Sequence, residues 1–155
     1  MGRTSPLGHA ELYHTGIIVD DVEAAKAEYT DLFGVTWGPQ GKVPMPILLA
    51  DGPKMVDFEY AYTNEGPHRL ELVAPIPGTL WAVHGNGHAH HLGYWCNDVA
   101  ATSADLIRCG VPLRVKVGVS SDDEPASIVI HQAKSGVYIE LVDIAARAVM
   151  FPDEV

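Results

Sequence analysis

YHTGIIVDDVEAAKAEYTDLFGV (residues 13–35) and HHLGYWCNDVAATSADLIRCGV (residues 90–111) decide the fold, because one pattern underlies both. His14 falls on His91, and the same offset carries Gly16 to Gly93, Asp21 to Asp98, Val22 to Val99, Ala24 to Ala101 and Ala27 to Ala104. One residue is then lost, so that Gly34-Val35 meets Gly110-Val111. A second match follows further along: RLELVAP (69–75) resembles YIELVDI (138–144), which sets Glu71 against Glu140. A period of roughly 70 residues marks a duplicated supersecondary unit.

Each copy reads alike. A β-rich run ends at an acid, Asp21 or Asp98, whose carboxylate can accept the unpaired N–H groups of a first helical turn. Val22, Ala25, Tyr29, Leu32 and Phe33 then share one helical face, as do Val99, Thr102, Leu106 and Cys109. Gly34 and Gly110 are helix stops. Strand-like segments follow at 35–38, 45–50, 55–62 and 68–74, and at 112–119, 126–131 and 137–143, with Gly and Pro between them. The organisation is α+β: two βαβββ modules forming a cup-shaped mixed sheet with helices on the outer face. Residues 1–10 are expected to be a flexible tail, 11–74 the first module, 75–87 a linker, 88–144 the second module and 145–155 a C-terminal tail, all within one domain.

Composition narrows the function. The 155 residues suffice for one core, and 47% hydrophobic with 19% charged residues is a globular balance. A formal net charge of −10 without a basic cluster argues against nucleic acid and against an anionic membrane surface. No apolar run has the length of a membrane span, and MGRTSPLGHAE lacks the hydrophobic core of a signal peptide. Pro6 stands where a myristoylation signal wants Ser or Thr. Cys96 and Cys109 form no CxxC pair and read as buried, reduced thiols. A cytoplasmic protein is expected.

Strand alternation then sorts the side chains. His14, Gly16 and Ile18 face one way, as do His91, Gly93 and Trp95; Arg69, Glu71 and Val73 oppose Leu70 and Leu72; Tyr138, Glu140 and Val142 oppose Ile139 and Leu141. A lone acid in mid-strand is costly to bury unless it is paired or holds a cation. The repeat supplies two such acids and two histidines in equivalent places, a set suited to a divalent ion such as zinc, nickel, cobalt, manganese or ferrous iron.

With these residues the chain resembles the vicinal oxygen chelate superfamily, which includes glyoxalase I, methylmalonyl-CoA epimerase, extradiol dioxygenases and bleomycin-resistance proteins. The resemblance runs from about 11 to 144, and rests on YHTGIIVDDVEAA, LELVAP and IELVD. It implies that His14, Glu71, His91 and Glu140 hold a divalent metal in the cup, with His88 and His90 left as loop or rim residues. HHLGYWCNDV and VIHQAKSGVYIELVD (129–143) look most like the epimerase branch. That branch implies a further catalytic glutamate, which has no counterpart in GKVPMPILLADG (41–52); Glu59, in VDFEYAY (56–62), is only a distant candidate. The implied activity is that of a metal-dependent isomerase, epimerase or lyase removing a proton next to a carbonyl of an acyl-CoA, 2-oxo acid or thiohemiacetal. Glu140 is the first choice of base and Glu71 the second. Arg69, Trp95, His131 and Tyr138 are candidate substrate-binding residues, and relatives are usually homodimers.

Plainer readings accompany each of these. Glu71 can pair with Arg69 or His68, His131 can be a satisfied structural histidine, and Trp95, Tyr138 and Tyr60 can be ordinary core. Two rival functions are an Fe(II) extradiol-type dioxygenase and a non-catalytic ligand-sequestering protein of the bleomycin-resistance type.

Overall fold

Asp21 and Asp98 start the two helices as the repeat requires: each Oδ1 accepts a 2.9 Å bond from the backbone N–H three residues on, of Ala24 and Ala101. The chain is seen here in a computed structural model that describes residues 5–82 and 89–154. The first half runs β1 (Glu11–Ile18), α1 (Val22–Phe33), β2 (Trp37–Leu49), β3 (Gly52–Thr63) and β4 (Arg69–Val73). The second runs β5 (Ala89–Cys96), α2 (Val99–Arg108), β6 (Leu113–Val117), β7 (Ile128–Gln132) and β8 (Tyr138–Asp143). A short helix α3 (Arg147–Met150) follows, between two 3₁₀ turns.

The strands close a mixed barrel in the order β1-β4-β3-β2-β6-β7-β8-β5, with β5 returning to β1. Within each module the His strand runs parallel to the Glu strand, β1 with β4 and β5 with β8. The modules meet along β1–β5 and β2–β6, both antiparallel and both within this one chain. The helices lie outside. Val22 and Ala25 of α1 cover Ala61 and Leu72, and Val99 and Leu106 of α2 cover Val129 and Leu141. The apolar side of each Glu strand thus packs under a helix, and the acid faces the barrel interior.

Several local expectations change. Leu32 and Phe33 are 64% and 60% exposed, because α1 outruns the sheet beneath it and only its first turns are covered. Cys109 lies at the surface, while Cys96 is buried. The segments 35–38 and 45–50 belong to one long strand, β2, despite three prolines. The Pro46 carbonyl accepts from Gly118 on the β6 side, so the missing N–H groups of Pro44 and Pro46 face the edge that β6 pairs only at Ile47–Leu49.

Neither connection is a plain linker or tail. In the described part of 75–87, Ile76 and Trp81 enter the barrel core, held by the Ile76 N–H to Trp81 carbonyl bond. In 145–155, Phe151 inserts between Tyr13, Tyr62 and Trp95, and Glu154 pairs with Arg69. Residues 1–4, 83–88 and 155 lie outside the described residues, and with them the expectation for His88. Among the described residues no helix is long and apolar enough to cross a membrane.

Candidate metal centre

The two histidine strands face each other with a register that the repeat makes symmetrical. His14 stands opposite Gly93, and His91 stands opposite Gly16. A Cβ on Gly93 would lie 1.8 Å from Cε1 of His14, and one on Gly16 would lie 1.9 Å from Cε1 of His91. Each glycine of the H-x-G pair therefore provides the space for the other module's imidazole.

Two bulges complete this seam. The pairing slips between Leu12 and His14, leaving Tyr13 as the extra residue of β1. It slips again between Gly16 and Ile17, leaving His90 as the extra residue of β5. Tyr13 and His90 are themselves equivalent in the repeat. A bulge adds one residue on one strand and re-aims its side chain. Tyr13 accordingly stacks on Trp95, with ring centroids 3.7 Å apart, and meets the His14 ring edge-on at 4.3 Å.

Four candidate side chains converge inside. The Nε2 atoms of His14 and His91 are 2.9 Å apart, and His91 Nε2 lies 2.9 Å from Glu71 Oε2. His14 Nε2 is 3.4 Å from that same oxygen. The Glu140 oxygens stand further back, 3.9 Å from His14 Nε2 and 3.6 Å from His91 Nε2. Both histidines are fully buried, and Glu71 and Glu140 are 3% and 7% exposed. Among the described residues no lysine or arginine pairs with either carboxylate. Buried anions without a counter-ion are costly, and this group is completed by a proton or a cation. Ligands about 2.0–2.2 Å from one ion lie about 3 Å from each other, which is the spacing of His14, Glu71 and His91. The donors fit a borderline divalent ion.

The carboxylates differ in environment. Burial opposes the charge on Glu71, but hydrogen bonds from His14 and His91 and their charge outweigh it and hold its pKa below the usual carboxylate range. Burial pushes Glu140 up to about 7, the charge of Glu71 adding to the rise and His91 opposing it. A group whose folded pKa is raised contributes stability that is complete below its unfolded pKa and is lost as pH rises through the folded value. Chelator-treated protein is therefore expected to lose melting temperature between about pH 5 and about pH 8. Glu140→Gln is expected to flatten that slope, and thermal melts across this interval check both.

The centre opens on a cavity of about 180 Å³. Phe58, Tyr60, Trp81, Met45 and Met150 contribute to its wall, and Glu71 and Glu140 are the acids in it. The other candidates sit elsewhere. His131 lies under α2, its Nε2 2.9 Å from Ser103 Oγ and its Nδ1 3.0 Å from the Val111 carbonyl, instead of lining the cup. Arg69 gives its guanidinium to Glu154 and to the Asn64 carbonyl and lies over the Phe151 ring. His68 bonds Thr15. Neither is paired with Glu71, which leaves that carboxylate to the imidazoles. Trp95 is core between Tyr13 and Phe151, and Tyr138 leans on the His90 ring at 4.8 Å. Glu59 pairs with Lys42, its side chain 38% exposed. His90 is not a rim residue: its ring nitrogens reach His91 and the Leu80 carbonyl. The roles of Gly16, Gly93, Tyr13 and His90 escaped notice in the sequence, although all four stand at equivalent positions of the repeat.

Residues 13–126 match the model of the glyoxalase/bleomycin resistance protein/dioxygenase superfamily. No curated protein sequence matches the chain. Among solved structures, the methylmalonyl-CoA epimerase of Mycobacterium tuberculosis is 22% identical with a TM-score of 0.58, covering 92% of each chain. A variant of the Streptomyces coelicolor methylmalonyl-CoA epimerase in complex with 2-nitronate-propionyl-CoA is 23% identical with a TM-score of 0.60, covering 88% of this chain and 98% of that one. A variant of 4-hydroxymandelate synthase from Streptomyces coelicolor is 16% identical with a TM-score of 0.57, covering 87% of this chain and 38% of that one.

Proposed function

The chain belongs to the glyoxalase/bleomycin resistance protein/dioxygenase superfamily, and from that premise we propose that it is a metal-dependent isomerase, epimerase or lyase that removes a proton next to a carbonyl of a small molecule. The observation that carries this reading is the convergence of two imidazole nitrogens and the Glu71 carboxylate, with Glu140 set beside them at the mouth of an apolar cavity. His14, Glu71 and His91 would hold the ion, with Glu140 as the fourth group. A divalent ion there supplies Lewis-acid chemistry, polarising the substrate carbonyl and stabilising the charge that develops as the proton leaves.

The protein's own groups divide the remaining work. Glu140 is the base: its oxygens stand back from the tighter group, 3.9 Å from His14 Nε2 and 3.6 Å from His91 Nε2, at the wall of the cavity where a substrate proton can reach them. The apolar wall excludes water and orients the substrate body, so that its oxygens are the part directed at the centre. Strand β2 lends Val43 and Met45 to that wall and no acid. With Glu71 held by the imidazoles and Glu140 the remaining acid among the described wall residues, proton return by the same carboxylate, or loss of a leaving group, is favoured over a two-base epimerisation.

A second reading has its own support. Glu140 stands back from the tighter group of His14, Glu71 and His91, and two histidines with one carboxylate are the donor set of non-haem Fe(II) oxygenases. One experiment separates the two. Untagged protein loaded with zinc, manganese, nickel, cobalt or iron is incubated in D₂O with acyl thioesters, 2-oxo acids and thiohemiacetals, and α-proton exchange is followed by NMR. Exchange that needs the ion and ceases with chelator is expected. Failure of every divalent ion to bind stoichiometrically would overturn the reading, and oxygen uptake with iron and catechols would favour the oxygenase.

A further inference from the structure

The bulge in β5 brings His90 beside His91, with their rings edge-to-face at 5.2 Å and their Nδ1 atoms 2.9 Å apart. On its far side His90 Nε2 lies 2.7 Å from the carbonyl oxygen of Leu80. A carbonyl oxygen only accepts, so the proton of a neutral His90 sits on Nε2 and its Nδ1 offers a lone pair. His91 Nδ1–H donates to that lone pair. Nε2 is then the nitrogen that His91 turns toward Glu71 and His14.

We propose that His90 is a positioning residue for the metal centre: anchored on the Leu80 carbonyl, it holds a proton on His91 Nδ1 and sets the orientation of that ring, so that Nε2 is the nitrogen presented to an ion. The proposal rests on reading His14, Glu71, His91 and Glu140 as a metal centre. Partners of this kind, one bond removed from the ion, commonly fix which nitrogen of a histidine binds. The two modules differ in this respect. Tyr13 occupies the place of His90 in the first module, and His14 Nδ1 has no hydrogen-bond partner among the described residues. His91 is therefore the histidine whose ring is held through Nδ1 by the fold, and the turn between Ile76 and Trp81, which carries Leu80, is part of the device.

The test compares His90→Phe, which keeps a ring against Tyr138 but cannot accept, with His90→Gln, whose amide oxygen can. Long-range ¹H–¹⁵N correlation spectra of the metal-free proteins report whether His91 Nδ1 carries a proton, and calorimetric titration with zinc or manganese reports affinity. Wild type and His90→Gln are expected to hold the proton on His91 Nδ1. His90→Phe is expected to lose that preference and to bind the ion about 10–100-fold more weakly with circular dichroism unchanged. Retention of both tautomer and affinity in His90→Phe would overturn the proposal, as would a His90→Gln no better than His90→Phe. If wild type binds no divalent ion, the metal reading fails by itself, while the His91 tautomer still tests the part assigned to His90.

Discussion

Gly93→Ala is expected to abolish tight divalent-metal binding and to destabilise the protein by about 3 kcal/mol or more, at the upper end of what an added methyl costs in a packed interior. The new Cβ would lie 1.8 Å from a carbon of the His14 ring. That ring has nowhere to retreat, with Tyr13 edge-on at 4.3 Å, His91 at 5.0 Å and Tyr62 at 5.3 Å. Either the imidazole leaves its place or β1 parts from β5, and both outcomes break up the group of His14, Glu71, His91 and Glu140. Gly16→Ala is expected to do the same to His91. Gly41→Ala is the control, because its Cβ would find nothing closer than 3.8 Å and its φ is not positive. Thermal melts with and without metal, together with calorimetric titration, measure the effect. Metal affinity in Gly93→Ala equal to that of Gly41→Ala would show that the imidazoles do not meet across this seam.

Glu140→Gln is expected to lower turnover by about 10²–10⁴-fold, the usual worth of a positioned general base. Metal affinity should fall much less, because His14, Glu71 and His91 remain as the tighter group. Glu71→Gln is expected to show the opposite pattern, losing the ion first, since Glu71 is the carboxylate in hydrogen-bond contact with His91. The check is the split between the dissociation constant of the metal and kcat in the two variants, measured on whichever carbonyl compound exchanges its α-proton. An active Glu140→Gln enzyme would remove Glu140 from the role of base.

Much of the fold was legible because duplication is a property of order along the chain. The Asp caps, the Gly stops and the spacing of His14 with His91 and of Glu71 with Glu140 are local or periodic signals, and each survives reading in one dimension. The error on Leu32 and Phe33 has the same root: helical periodicity marks a face, but only the extent of the sheet beneath α1 decides how far along that face is covered. His90 likewise reads as a loop or rim residue in one dimension, and only the bulge in β5 sets it beside His91.

Order along the chain, read alone, thus determined that two βαβββ units each carry one inward histidine and one inward glutamate. Tertiary structure decided the rest: that the modules pair within one chain, that Gly16 and Gly93 make room for the opposing imidazoles, and that Arg69 and His131 are engaged away from the cavity. It also brought Trp81 and Phe151 into the barrel from segments that look like connections. The physical reason is that strand register, bulges and barrel closure are set by backbone pairing between residues far apart in sequence. A one-residue slip in such pairing reverses which side chains meet, and no local pattern records it.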